Sequence, residues 1–430
     1  MPRSATAPAA GHSLPLFAAA APIPAQAGPG QRAMSSAEFL ESVRRFAAFG
    51  TTTQDVTKDG IPYRINEFWT SGQRQAHRLH EVSYRACFKP QLPEFFIGRL
   101  TVPGEGVLDP FMGRGTTPVQ AALRGRRPIG NDINPLSLLF TRPRLSPPPL
   151  AAVIRRLGEV TWDVAEDVRE DLLAFYHPVT LRRLCALREW LMREAPLEKT
   201  DPDPATDWIR MVAINRLTGH SAGFFSVYTL PPNQATSIAN QTRINRKRDQ
   251  LPPLRDISAI VLKKTRQLLG DGLPCPHPPA ILGIGPSTDM SHVPAGSAAL
   301  VVTSPPFLDI VHYAQDNWLR CWFAGIDATT VEIALHRTER AWEAMVRSTL
   351  AELARALRPG GHVAFEVGEV RGGKVLLERL VWEAAEGLPF ERLFVMVNQQ
   401  RFTKTAHCWG VHNNTRGTNS NRIVLLRREP

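Results

Sequence analysis

The stretch Val107-Leu-Asp-Pro-Phe-Met-Gly-Arg-Gly-Thr-Thr-Pro118 restricts the fold more than any other part of the chain. Val107 and Leu108 read as the end of a buried strand, and Gly113 and Gly115 then let the backbone turn tightly before a helix begins near Thr116. Such a corner presents free N–H groups and the positive end of a helix dipole, so a carboxylate or phosphate can settle there without a lysine. Pro128-Ile-Gly-Asn-Asp132 supplies an acid at the end of the next strand, where it suits the hydroxyls of a ribose. A bare Gly-x-Gly is as often an ordinary loop as a ligand site. Joined to Asp132, it favours a nucleoside cofactor.

A second anchor is Ala299-Leu-Val-Val-Thr-Ser-Pro-Pro-Phe307. Leu300 to Val302 read as another buried strand, and Ser304-Pro-Pro-Phe307 follows at its carboxyl end, where open α/β sheets keep their active sites. The two prolines fix φ and remove two N–H donors, leaving carbonyl oxygens on a stiff scaffold beside a hydroxyl and an aromatic face. A site that accepts hydrogen bonds from a planar amino group while stacking on its ring needs these parts.

Asp109-Pro-Phe-x-Gly-x-Gly-Thr-Thr117 together with Thr303-Ser-Pro-Pro-Phe307 resembles the S-adenosylmethionine-dependent DNA methyltransferases that modify exocyclic amino groups, and the Ser-Pro-Pro-Phe form is similar to their N4-cytosine branch. Tyr84-x-Ala-x-Phe-x-Pro90 is similar to the family's N-terminal cofactor motif, with Cys87 where a Lys is common. Leu357-Arg-Pro-Gly-Gly-His-Val-Ala-Phe365 resembles the helix, turn and strand after the catalytic motif, and Asn421-Arg-Ile-Val-Leu-Leu-Arg427 the closing strand. Residues 82–151 and 280–428 are covered; residues 152–279 are not.

The resemblance implies a Rossmann-like class I methyltransferase fold: an α/β domain with a mostly parallel twisted sheet, an antiparallel C-terminal strand pair and a largely helical inserted domain. It implies S-adenosylmethionine as cofactor, leaving as S-adenosylhomocysteine, with contacts from Tyr84, Phe88, Asp109, Pro110, Phe111, Gly113, Gly115, Thr116, Thr117, Asp132 and Ile133, and with Asp289 at the adenine amino group. Ser304, Pro305, Pro306 and Phe307 become the catalytic set. In the implied mechanism Ser304 Oγ and the Pro305 carbonyl accept the amino hydrogens of an extruded cytosine, Phe307 stacks on its ring, and no metal or covalent intermediate is needed. The motif order resembles the branch with the cofactor region first and recognition inserted mid-chain, except that the insert precedes the third strand. N6-adenine methylation on the same fold is the alternative, and a non-catalytic nucleic-acid-binding protein the alternative of another class.

The remaining chain fits around these anchors. With 430 residues, 43% of them hydrophobic, it can bury a main domain plus an insert. A net charge of +11 suits a polyanion such as double-stranded DNA, and a companion restriction endonuclease is compatible with that partner. Only 8 of the 51 basic residues are Lys, which either genome composition or bidentate contacts to phosphate and guanine explains. The scattered cysteines 87, 185, 275, 321 and 408 indicate neither disulfides nor zinc and fit a reducing cytoplasm. Cys275, in Leu273-Pro-Cys-Pro-His-Pro-Pro279, reads as linker rather than as the Pro-Cys nucleophile of C5-cytosine enzymes.

Four segments result: a disordered tail (1–33), the first part of the catalytic domain (34–149), a target-recognition insert (150–279) and the second part of the catalytic domain (280–430). Leu14 to Ala27 superficially resembles a secretory segment, but Pro15, Pro22 and Pro24 interrupt it, and an ordered helix capped by Ser35 is expected next. In the insert, Leu172, Leu173 and Phe175, then Leu181, Leu184, Leu187 and Leu191, follow helical spacing. Its 236–270 stretch carries eight cations against Asp249 and Asp256. Arg243, Arg246, Lys247 and Arg248 are expected on DNA phosphates, with Asn233, Gln234, Asn240, Gln241 and Asn245 supplying base-reading amides. Gln399 to Ser420, long and rich in Asn, Thr, His and Arg, is expected to touch DNA or cofactor.

Overall fold

The computed structural model describes residues 32–70, 76–85, 87–162, 167–230, 234–308, 313–331, 336, 338–370, 375–399 and 420–430. The expectations for the tail before Arg32, for Asn233, for Cys408 and for 400–419 lie outside the described residues.

In chain order the elements are α1 (Ser36–Arg44), β1 (Gln54–Lys58), β2 (Ile61–Asn66), α2 (Gln91–Leu100), β3 (Gly106–Asp109), α3 (Thr116–Leu123), β4 (Arg127–Asp132), α4 (Pro135–Leu145), α5 (Leu150–Gly158), α6 (Pro178–Glu194), α7 (Pro204–Arg216), α8 (Ile238–Arg248), α9 (Ile257–Leu268), β5 (Ile281–Ile284), β6 (Ala298–Thr303), α10 (Tyr313–Ala324), α11 (Glu339–Ala356), β7 (Leu357–Val367), β8 (Glu369–Val370), β9 (Val375–Leu376), α12 (Leu377–Ala384), β10 (Phe390–Gln399) and β11 (Ser420–Arg428). Ser35 caps α1 through a reciprocal pair with Glu38, as its sequence predicts.

Nine strands form one sheet in the order β1-β2-β10-β11-β7-β6-β3-β4-β5. From β5 to β7 every pairing is parallel, and β11 runs antiparallel between β7 and β10. This is the Rossmann-like class I methyltransferase order, with the expected closing pair in register at Phe394↔Leu425 and Met396↔Ile423. The β1–β2 hairpin, which the sequence reading missed, widens the sheet beyond it: β2 joins β10 in parallel. Asp59 and Gly60 turn that hairpin at φ 50° and 78°, the left-handed pair of a two-residue loop.

Period-two alternation sends the strands' side chains to two cores. Val107, Leu300, Val302 and Ala364 pack under α1 and α2 with Phe39, Phe95 and Phe96. Leu108, Val301, Val363 and Phe365 pack under α11 and α12 with Trp342, Leu350 and Val381.

Residues 150–279 contribute α5 to α9 and no strand of the sheet among the described residues. Their Val153, Leu184, Leu187, Trp190, Trp208 and Val261 merge with Leu136 and Phe140 of α4 and Leu319 of α10 into one continuous core. Arg142 holds Asp207 through two hydrogen bonds of 2.7 and 3.0 Å across that junction. The expected segment boundary at 149/150 coincides with the start of α5, whose Val153 joins the same core as Leu136 of α4. No helix among the described residues is long and apolar enough to cross a membrane.

Candidate active site

The strand order reverses between β3 and β6, each strand's successor lying on opposite sides, and the crevice at the carboxyl ends of such a pair is where open α/β sheets bind ligands. Both sequence anchors end there. A cavity of about 430 Å3 opens between them, inside the ~300–1,000 Å3 range of small-molecule sites. Tyr84, Phe88, Pro110, Phe111, Gly113, Asp132, Ile133, Ser304, Pro305, Pro306 and Phe307 all line it.

The glycine corner is built as expected but its donors are used differently. Gly113 and Gly115 take φ of 50° and 76°. A Cβ on Gly115 would stand 2.2 Å from Thr141 Oγ1, so the position admits no side chain. The sequence suggested free N–H groups at this turn; instead Gly113 N donates to Asp132 Oδ2 at 2.8 Å and Gly115 N to Met112 O at 2.6 Å. Asp132 Oδ1 accepts from Asn134 N at 2.9 Å. Burial raises the Asp132 carboxyl and the N–H groups of Asn134 and Gly113 oppose it. Each oxygen retains a lone pair for a hydroxyl in the cavity.

Asp109, Gly115, Thr116 and Thr117 do not line the cavity; they brace its floor. Asp109 is fully buried, and its Oδ1 accepts from Thr303 Oγ1 at 2.6 Å and Phe111 N at 3.1 Å, tying the ends of β3 and β6 together. Its Oδ2 has no hydrogen-bond partner among the described residues, and burial pushes the carboxyl up to about 7. Thr117 Oγ1 donates to Val302 O at 2.9 Å across the same two strands. Thr116 Oγ1 accepts from Arg114 Nε at 3.1 Å.

The Ser304–Phe307 turn is clamped from two sides. Trp342 Nε1 donates to Pro306 O at 2.9 Å. The Phe307 ring lies against Gly368, where a Cβ would stand 2.8 Å from Phe307 Cε2. Two residues missed by sequence reasoning complete this wall. Glu366, buried near the end of β7, accepts from Asn421 Nδ2 at 2.9 Å, and Asn421 also lines the cavity. Burial raises the Glu366 carboxyl, opposed by hydrogen bonds from Ser304 and Asn421. The signal was an acid inside the apolar strand run Val363 to Val367.

On the opposite wall Asn134 Nδ2 donates to Tyr84 Oη at 3.1 Å, fixing the ring. Cys87 also lines the cavity; its Sγ donates to Tyr84 O at 3.2 Å, and burial raises its thiol. Asp289 is not brought in. It is exposed and caps its own turn, accepting from Ser291 N at 3.2 Å, while Ser287 and Thr288 reach the cavity in its place. Cys275 lies away from the cavity, its Sγ donating to Leu123 O at 3.2 Å.

Outside the cavity, α8 exposes Arg243, Arg246, Lys247 and Arg248, none paired with an acid among the described residues. Arg248 lies 3.8 Å over the Tyr228 ring. Two of the expected reading amides are spent internally: Gln241 donates to Tyr228 O and Asn245 to Ala174 O, which pins the helix instead. Asn240 is exposed, and Gln234 half-buried.

Residues 46–138 match the family model described as DNA methylase. A type II methyltransferase of Methanocaldococcus jannaschii, M.MjaII, is 34% identical over 97 residues, 23% of this chain and 17% of its own. M.MvaI of Kocuria varians, also a type II methyltransferase, is 30% identical over 100 residues, 23% of this chain and 22% of its own. The chain thus spans about a fifth of the length of these curated relatives. Among solved structures, TrmN from Thermus thermophilus aligns over 80% of this chain and 50% of its own at 13% identity and a TM-score of 0.29.

Proposed function

We propose that the protein is a DNA methyltransferase of the amino-group family, transferring a methyl group from S-adenosylmethionine to the N4 amino group of an extruded cytosine in double-stranded DNA. One observation carries this reading: Ser304-Pro-Pro-Phe307 opens into the same cavity as the Gly113 corner and Asp132, with the buried Glu366 behind the serine.

The residues present fit the cofactor. Asp132 keeps acceptor capacity for ribose hydroxyls, Tyr84 and Ile133 give flat apolar walls, and Ser287 and Thr288 offer hydroxyls beside them. S-adenosylmethionine supplies a methyl group on a sulfonium, an electrophile that needs no further activation. The chain's own task is the nucleophile, an amino nitrogen whose lone pair is delocalised into the base. Ser304 donates its hydroxyl proton to Glu366, which leaves the Oγ lone pairs to accept one amino hydrogen. The Pro305 carbonyl, on a turn whose next carbonyl is held by Trp342, accepts the other. With both hydrogens bound in this way the nitrogen pyramidalises and its lone pair is freed. The proton shed on transfer passes to Ser304 Oγ as the serine's own proton moves to the Glu366 carboxylate. Phe307, backed by Gly368, offers a face for the base, and the apolar walls exclude water.

Ser304→Ala tests the assignment. Cofactor and DNA affinity should persist, while single-turnover methylation slows about a hundredfold, the ~3 kcal/mol of one transition-state hydrogen bond in a dry site. An unchanged rate removes Ser304 from the chemistry. Nucleoside analysis of the wild-type product should give N4-methylcytosine; N6-methyladenine would keep the fold and overturn the base assignment, and 5-methylcytosine would overturn the mechanism.

A further inference from the structure

A second cavity, of about 450 Å3, shares the Tyr84 wall and opens between residues 80–84, Arg114, the end of α7 and α9. Three cations, Arg114, Arg216 and Lys264, meet one acid there, Glu81. Two of the cations are occupied. Arg114 donates to Val82 O, Phe88 O and Thr116 Oγ1, and Lys264 Nζ sits 2.8 Å from Glu81 Oε2. Arg216 is different. Its guanidinium stacks 4.1 Å over the Phe224 ring but makes no hydrogen bond or ion pair among the described residues, and its Nε is buried without a partner. Burial draws the group down to about 10, with Glu81 opposing.

The surroundings add positive charge and no further acid. Arg144, fully buried behind Arg114, donates to the carbonyls of Phe140, Leu79 and Arg114 and pairs with no acid among the described residues. His80 is held neutral by its own burial and by Arg144 and Arg114. A partly desolvated guanidinium with no acceptor is costly unless an anion completes it, and its planar fork matches two oxygens of a phosphate.

We propose that this second cavity binds a phosphate of the DNA backbone, with Arg216 as the principal donor and Lys264 as the supporting charge. The proposal rests on the DNA-methyltransferase reading and deepens it. Two placements favour DNA over a free anion: the cavity abuts the reaction site through Tyr84, and the chain runs from Arg216 directly into the loop that leads to the basic helix α8.

The test compares wild type with Arg216→Gln on duplexes in which single phosphates are replaced by neutral methylphosphonates. One replacement should weaken the wild type at least fivefold and leave Arg216→Gln unaffected. The variant's slope of log K against log salt should fall by about 0.9, one phosphate contact, and Arg216→Lys should restore it, with S-adenosylmethionine affinity constant throughout. Lys264→Met is read in the same way if Arg216→Gln does not fold. Identical scans and slopes in wild type and variants overturn the proposal. Arg216-dependent binding of inorganic phosphate alone, with no sensitive position in the duplex, assigns the cavity to a free anion and overturns it too. A wild type that binds no duplex at all fails the DNA reading itself, a distinct result.

Discussion

Replacing Asp109 by Asn isolates one buried charge. The carboxyl has no accessible surface, and its pKa moves from 3.8 to about 7, mainly through burial. Asn keeps an oxygen for Thr303 Oγ1 and Phe111 N and places an NH2 where Oδ2 lacks a partner. Any fixed cost of that buried NH2 is the same at every pH; only the slope reports the charge. Because the folded-state pKa is raised, the folded form binds the proton more tightly than the unfolded chain. Its relative stability is therefore full below pH ~4 and is lost as pH rises toward 7. The total is on the order of 4 kcal/mol at ~1.4 kcal/mol per pH unit, of which about 2.5 kcal/mol falls between pH 5 and pH 8. Urea unfolding of both proteins at pH 5, 6, 7 and 8 should show Asp109→Asn gaining on the wild type by about that amount as pH rises. A difference that stays flat across this range would mean that Asp109 is ionised throughout and that water or an unseen donor reaches Oδ2.

Glu366 acts only when ionised, and its pKa is raised, so the wild-type methylation rate should fall on the acid side at a pH above the ordinary glutamate range; Glu366→Gln should abolish that limb and lower the plateau, and a limb surviving in the variant assigns it elsewhere. Gly113→Asp should fold, because its Cβ would meet Tyr84 Cε1 at 3.8 Å, an ordinary contact, and Asp tolerates positive φ better than most side chains. It should nevertheless lose cofactor affinity in calorimetry, because its side chain and charge would stand where the cofactor's own carboxylate approaches the glycine corner, and unchanged affinity would move the ligand out of this corner. Changing Arg243, Arg246, Lys247 and Arg248 together to Ala should weaken duplex binding and flatten its salt dependence by up to ~0.9 per lost phosphate contact, while an unaltered slope would leave α8 as a solvated face.

What the sequence revealed and what it hid have a common physical basis. Gly113, Gly115, Asp132 and Ser304-Pro-Pro-Phe307 were legible because turn geometry and strand ends are local properties, written within a few residues. The antiparallel closing pair was legible for the same reason, in two short continuous apolar runs, Phe394 to Val397 and Ile423 to Leu426. The β1–β2 hairpin carried a local signal as well, Asp59-Gly60, but its strand β1 is exposed at every residue and lacks the apolar alternation that marks a strand. The rest was non-local. Periodic leucines announced the helices of 150–279 but not that they would share a core with α4 and α10, since periodicity gives a face and not its partner. Gln241 and Asn245 looked like readers of bases because composition cannot show that Tyr228 O and Ala174 O consume them. Asp289 was placed by motif order, yet the turn after β5 points Ser287 and Thr288 into the cavity instead.

Glu366 is the most instructive of these, because three carboxylates, Asp109, Asp132 and Glu366, stand at or next to the carboxyl ends of the parallel strands β3, β4 and β7, and burial raises all three. Only Asp132 and Glu366 line the crevice, with Asp109 buried beneath it, and gathering like charges in this way is unfavourable unless a cation joins them. On the proposed chemistry S-adenosylmethionine carries that cation in its sulfonium and S-adenosylhomocysteine does not. The crevice then favours the charged cofactor electrostatically and loses that attraction when the methyl group leaves. The placement that strains the free protein thus assists release of the product, which gives a functional reason for acids in a site whose chemistry at the amino nitrogen involves only one of them directly.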